Sequence, residues 1–127
     1  GGYMDGKKKI LVIDDEEDTQ KLLKVMLERE NFIVITASDG DTGIKAAELM
    51  TPDLILMDVM MSRMDGYTCL KEIRKIPKIK DTPVLILSGK EEDKLRDIFA
   101  FYRISGYVEK PFDLDRLVVR MSEILKM

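Results

Sequence analysis

Leu54 to Asp58 reads LILMD, four apolar side chains closed by a carboxylate. A continuous apolar run of this length marks a strand covered on both faces, because a strand covered on one face alternates apolar with polar. An acid directly after such a run is an uncommon terminator unless that end of the sheet is polar for a reason. Four further short runs stand at strand spacing: Ile10 to Ile13, Phe32 to Ala37, Val84 to Leu87 and Tyr107 to Val108. Helical stripes fill the gaps. Leu22, Leu23, Met26 and Leu27 recur at helical spacing, as do Gly43, Ala46, Ala47 and Met50, and Leu95, Ile98, Phe99 and Tyr102. Leu70, Ile73 and Ile76 form a shorter stripe, and the last helix carries Leu114, Leu117, Val118, Met121 and Leu125 behind Asp113 as N-cap. Strands alternating with helices in this way predict an α/β chain with a parallel sheet covered by helices on both sides.

In doubly wound sheets a ligand sits beyond the carboxyl ends of the strands, where the winding reverses. The residues just past the strands are Asp14 and Asp15 after the first, Asp58 after the third, Ser88 after the fourth and Lys110 after the fifth. Crowded carboxylates repel, and a hard divalent cation with oxygen ligands is the simplest way to keep them ionised, so a Mg²⁺ site is expected here. Each residue has a plainer reading. The run Asp14 to Asp18 would suit a helix N-terminus, Lys110 a turn before Pro111, and Ser88 a loop. Their joint placement at one sheet edge carries the functional reading.

Composition narrows the chemistry. The 127 residues suffice for one compact domain. No apolar run approaches the ~20 residues of a membrane span and nothing resembles a signal peptide, so the expectation is a cytoplasmic protein without a membrane partner. A formal net charge of −3 argues against direct nucleic-acid binding, which needs clustered Lys and Arg. Absence of histidine removes imidazole metal sites, Ser-His and Cys-His nucleophile pairs, and a phosphohistidine of the chain's own. Cys69 is alone and reads as a partly buried apolar residue. Residues 1–8 read as a disordered or tag-derived segment, Lys7 to Lys9 as a solubilising start, and residues 9–127 as the domain.

Taken together, Ile10 to Glu16 (ILVIDDE), Asp53 to Gly66 (DLILMDVMMSRMDG), Ser88 and Tyr107 to Phe112 (YVEKPF) resemble the response-regulator receiver domain of two-component signalling, of the chemotaxis-regulator type. The resemblance implies a flavodoxin-like, three-layer (βα)5 sandwich with sheet order 2-1-3-4-5 and a cis peptide before Pro111. It implies that Asp58 accepts a phosphoryl group and that Asp15, Asp58 and the Met60 carbonyl bind Mg²⁺ directly, with Mn²⁺ as a substitute. Asp14 would hold the metal through water, Lys110 would contact phosphate, and Ser88 and Tyr107 would form a switch. Implied partners are a histidine kinase or histidine phosphotransfer protein and an unidentified downstream protein or output domain. The chain would be a monomer or a phosphorylation-dependent dimer, and a signalling phosphoacceptor rather than an enzyme. The switch would reshape a face made of the fourth helix, fifth strand and fifth helix.

Two departures from the family pattern stand out. Ser62 replaces the proline usual four residues after the acceptor, and Phe101 to Ser105 (FYRIS) replaces a small Gly-Ala type run. Met60 and Lys90 flank the site at positions that vary in the family. Met60 offers no hydrogen bond to align an attacking water, so self-dephosphorylation is expected to be slow. A flavodoxin-like cofactor carrier fails on charge, because its phosphate loop would here hold five consecutive acids. A phosphohydrolase lacks a second acid two residues after Asp58, where Met60 stands. A pseudo-receiver serving only as an interaction module remains the reading that loss of Mg²⁺ binding would favour.

Overall fold

A computed structural model describes residues 6–59, 61, 64–89 and 101–127. Its elements run β1 (Lys9–Ile13), α1 (Glu17–Arg29), β2 (Ile33–Ala37), α2 (Gly40–Met50), β3 (Leu54–Asp58), α3 (Gly66–Ile73), β4 (Val84–Ser88), β5 (Gly106–Glu109) and α4 (Leu114–Leu125). All strand pairs are parallel, in the order β2-β1-β3-β4-β5. The expected order therefore holds. Met60, Ser62, Lys90 and the stripe from Leu95 to Phe99 lie outside the described residues; Tyr102 stands in a turn.

Alternation along the strands builds two cores on one sheet. Leu11, Ile13, Ile55, Met57, Val84 and Ile86 face Ala47 of α2 and Cys69, Leu70 and Ile73 of α3. Ile10, Val12, Leu54, Leu56, Leu85 and Leu87 face Leu23 and Leu27 of α1 and Leu117 and Met121 of α4. The central strand β3 is buried at every position, as its unbroken apolar run requires, while the edge strand β2 is partly exposed. Gly43 lets α2 lie close on β1: a Cβ there would meet Ile13 Cδ1 at 2.6 Å.

Several local readings shift once packing is known. β3 and β4 each take in the polar residue set just beyond them by the sequence, because Asp58 pairs with Leu87 and Ser88 with Glu109. On α1 the buried line is Gln20, Leu23 and Leu27, whereas Leu22 is exposed. Lys9 is more than a solubilising start, since its N–H donates to Asp53 Oδ2 at 2.7 Å and its ammonium to the Met50 carbonyl. Asp113 does cap the last helix, accepting from Asp115 N–H at 2.8 Å. The Lys110-Pro111 bond is cis, as the resemblance implied.

Candidate functional site

Register explains why the acids meet. Ile13 pairs with Met57 across β1 and β3, so the next residues, Asp14 and Asp58, stand side by side at the carboxyl edge. Alternation turns both toward the α1 and α4 side of the sheet, and the same parity carries Lys110 there from β5. Ser88 and Tyr107 fall on the other parity, with Ile86, and Tyr107 packs against the core beneath α2 and α3.

Ligand oxygens of Asp14, Glu16 and Asp58 form an acidic cup, lying within 4.8 Å of one another. Asp14 is wholly buried and Asp58 only 4% exposed, whereas Glu16 faces solvent. The Lys110 ammonium reaches all three, at 2.9 Å from Asp14 Oδ2 and 3.5 Å from both Asp58 Oδ2 and Glu16 Oε1. Burial pulls the Lys110 pKa down, but the hydrogen bond with Asp14 and the charges of Asp58, Asp14 and Glu16 outweigh it, and the net shift is upward. Lys110 therefore stays cationic. One ammonium against three carboxylates still leaves the cup net negative, and this oxygen-only donor set fits a hard divalent cation.

Asp14 and Lys110 are each held from behind. Asp14 donates its N–H to the Ala37 carbonyl at 3.0 Å, and its Oδ1 accepts from Glu16 N–H at 2.9 Å. Lys110 N–H donates to the Ser88 carbonyl at 2.6 Å, tying the lysine to the end of β4. α3 begins behind Asp65, whose side chain caps it by accepting from Thr68 N–H at 2.7 Å. The start of α3 abuts the acceptor strand so closely that a Cβ on Gly66 would come within 2.8 Å of the Asp58 carbonyl oxygen and Val59 Cα. Only glycine fits there.

The structure brings Asp14, Asp58 and Lys110 together at the carboxyl edge of the sheet, with Ser88 at the end of the neighbouring strand. Asp15 is half-buried and stands outside the trio, and Met60 lies outside the described residues. Glu16, which joins the acidic trio, and Gln20, which donates to the Asp14 carbonyl, were not singled out by the sequence. Glu16 was absorbed into the acids of a helix N-terminus, although a residue two past an aspartate is where an Asx turn returns the backbone N–H. Gln20 carried a weaker signal, a polar residue on the buried line of α1.

A parallel, doubly wound sheet with a buried carboxylate pair and a lysine at its carboxyl edge defines a class of proteins, and the comparisons name it. Residues 10–122 match the response regulator receiver domain, and the chain belongs to that family, whose members are signalling phosphoacceptors. It is 40% identical over 119 residues to the alkaline phosphatase synthesis transcriptional regulatory protein PhoP of Bacillus subtilis, covering 94% of this chain and 49% of that one. It is 32% identical over 120 residues to the DNA-binding dual master transcriptional regulator RpaA of Synechocystis, covering 93% and 49%. The chain thus spans about half the length of these regulators. Among solved structures, chemotaxis protein CheY4 of Vibrio cholerae superposes with a TM-score of 0.90 at 25% identity, covering 94% of this chain and 99% of that one. No described helix is long and apolar enough to cross a membrane.

Proposed function

We propose that Asp58 is the phosphoacceptor of this receiver domain and that its carboxylate takes a phosphoryl group from a phosphohistidine on a histidine kinase or histidine phosphotransfer protein. The observation that carries the reading is the nearly buried Asp58 at the strand end, 3.5 Å from the Lys110 ammonium and beside the buried Asp14. In the transfer an Asp58 oxygen forms the new bond to phosphorus as the donor's N–P bond breaks and its electron pair stays on the imidazole. Because the transferred group is loosely bonded in the transition state, positioning and neutralisation of its oxygens supply most of the catalysis. Lys110 is already charged and aimed at that place, and Ser88 supplies a hydroxyl at the adjoining strand end.

Asp14, Asp15, Asp58 and the Met60 carbonyl would hold Mg²⁺, with Glu16 alongside; bound there, the ion would screen the carboxylates and the incoming phosphoryl oxygens from one another. The acyl phosphate adds close to two negative charges, which Ser88 follows by hydrogen bonding and Tyr107 by a change of packing. That shift alters the face around β5 for a downstream protein or output domain. On this reading the chain works in the cytoplasm, contacts neither nucleic acid nor membrane by itself, and acts on no substrate but its own carboxylate. Incubation with Mg²⁺ and a small acyl phosphate, borohydride trapping and peptide mapping should locate the modification at Asp58. Trapping at any other acid would contradict the assignment.

A further inference from the structure

Among the described residues, four polar side chains are buried: Asp14, Gln20, Asp58 and Ser88. Three belong to the reaction just described, and the fourth has no part in it. Burying an amide costs free energy unless its hydrogen bonds are made, so Gln20 must be answered by partners nearby. Its amide nitrogen donates to the Asp14 carbonyl and to Ser38 Oγ, the latter at 3.1 Å. A carbonyl oxygen only accepts, so the nitrogen of the Gln20 amide is the end that faces it.

Position gives those two bonds their consequence. Asp14 follows β1 and Ser38 follows β2, so Gln20 reaches from α1 to close the seam between the two loops that leave these strands. Asp14 is then fixed at every polar atom: its N–H by Ala37, its carbonyl by Gln20, Oδ1 by Glu16 N–H and Oδ2 by Lys110. Without the Gln20 donor, the Asp14 carbonyl would be left buried and underbonded, and the Asp14-Glu16 turn would be free to rotate toward water.

We propose that Gln20 is a positioning residue for the cation site, setting the direction of the Asp14 carboxylate through its backbone rather than touching metal or phosphate. This rests on the reading of the cup as a divalent cation site. The experiment has a metal-free arm and a metal arm, using Gln20→Met, which keeps the length and removes the donors, and Leu23→Ala, which perturbs the core under the same helix without touching Asp14. In the apo protein, the amide resonance of Glu16, which reports its bond to Asp14, should move in Gln20→Met and stay in Leu23→Ala. In titrations with Mg²⁺ followed by amide shifts, Gln20→Met should bind about tenfold more weakly, the scale on which supporting shells tune metal sites. Leu23→Ala should bind as wild type despite a lower Tm. Should Gln20→Met fail to fold, Ser38→Ala removes the second partner and should show the same changes at smaller size. A Glu16 amide and a Mg²⁺ affinity both unmoved in the folded variant overturn the proposal. Wild-type protein that ignores Mg²⁺ overturns the cation reading and the proposal with it, and a Glu16 amide that still moves then shows only that Gln20 orients Asp14.

Discussion

At Gly66 one missing methyl group decides how near α3 can come to the acceptor. A Cβ would press on backbone, the Asp58 carbonyl and Val59 Cα at 2.8 Å, and backbone cannot swing aside as a flexible side chain can. Gly66→Ala should therefore cost about 1–3 kcal/mol in urea unfolding and slow phosphorylation, because the strain falls on Asp58 itself. Wild-type values for both would mean the loop yields freely. Cys69 shows the opposite economy, a polarisable group used purely for packing. It is wholly buried, its thiol donates weakly to the Gly40 carbonyl at 3.8 Å, and burial followed by the charges of Asp41, Asp65 and Asp39 pushes its pKa up to about 12. In the unfolded chain the thiol ionises near pH 8.5, so its contribution to stability is complete below that pH and is lost as pH rises toward about 12. Cys69→Ala should flatten that part of the alkaline stability profile, and in the native wild type at pH 8 the thiol should resist alkylation.

At the scale of elements, the turn ahead of β5 carries the bulky run Phe101 to Ser105. Arg103 sits there with φ 50°, a left-handed conformation that a non-glycine residue adopts at a cost of about 1–2 kcal/mol. The turn is held by Arg74, which follows α3 and donates to the carbonyls of Tyr102 at 3.0 Å, Lys80 at 2.9 Å, Thr82 at 2.8 Å and Arg103 at 3.1 Å. Tyr102 also packs edge-on against Tyr67, with ring centroids 5.4 Å apart, which joins the first turn of α3 to the same segment. The bulky FYRIS run thus has partners on α3. Arg74→Lys should lose roughly 2–3 kcal/mol, since one ammonium cannot span four carbonyls as a planar fork does. A loss below a few tenths in urea unfolding would show the fork to be dispensable. Strands were legible because β1, β3 and β4 are covered on both faces and write unbroken apolar runs. Helix faces were less so: Leu22 shares the spacing of Leu23 yet is exposed, because the sheet takes a narrower strip of α1 than the apolar residues offer. Asp14 and Asp58 could be placed together from strand order alone, whereas Gln20 could not, because its partners come from two separate loops.

For the whole molecule, one sheet serves two cores, so neither can come apart without exposing the other. Leu56 lies in the core beneath α1 and α4, and Met57, its neighbour on β3, lies in the core beneath α2 and α3. Leu56→Ala and Met57→Ala should each cost about 2–5 kcal/mol, and each should shift a single unfolding transition seen alike by backbone and tyrosine signals. Separate transitions would mean the two layers fold independently. The same sheet joins the acidic cup to the Ser88-Tyr107 side, with β4 and β5 linked at Lys110.

The most direct test is the intact mass of the protein after incubation with Mg²⁺ and a small phosphodonor, alongside Asp58→Asn and a chelator control. A carboxylate primed by its neighbours at the sheet edge predicts the gain of one phosphoryl group by wild type with Mg²⁺, and none by the variant or with metal withdrawn. Equal gain in Asp58→Asn, or no gain by wild type from any donor, would contradict it.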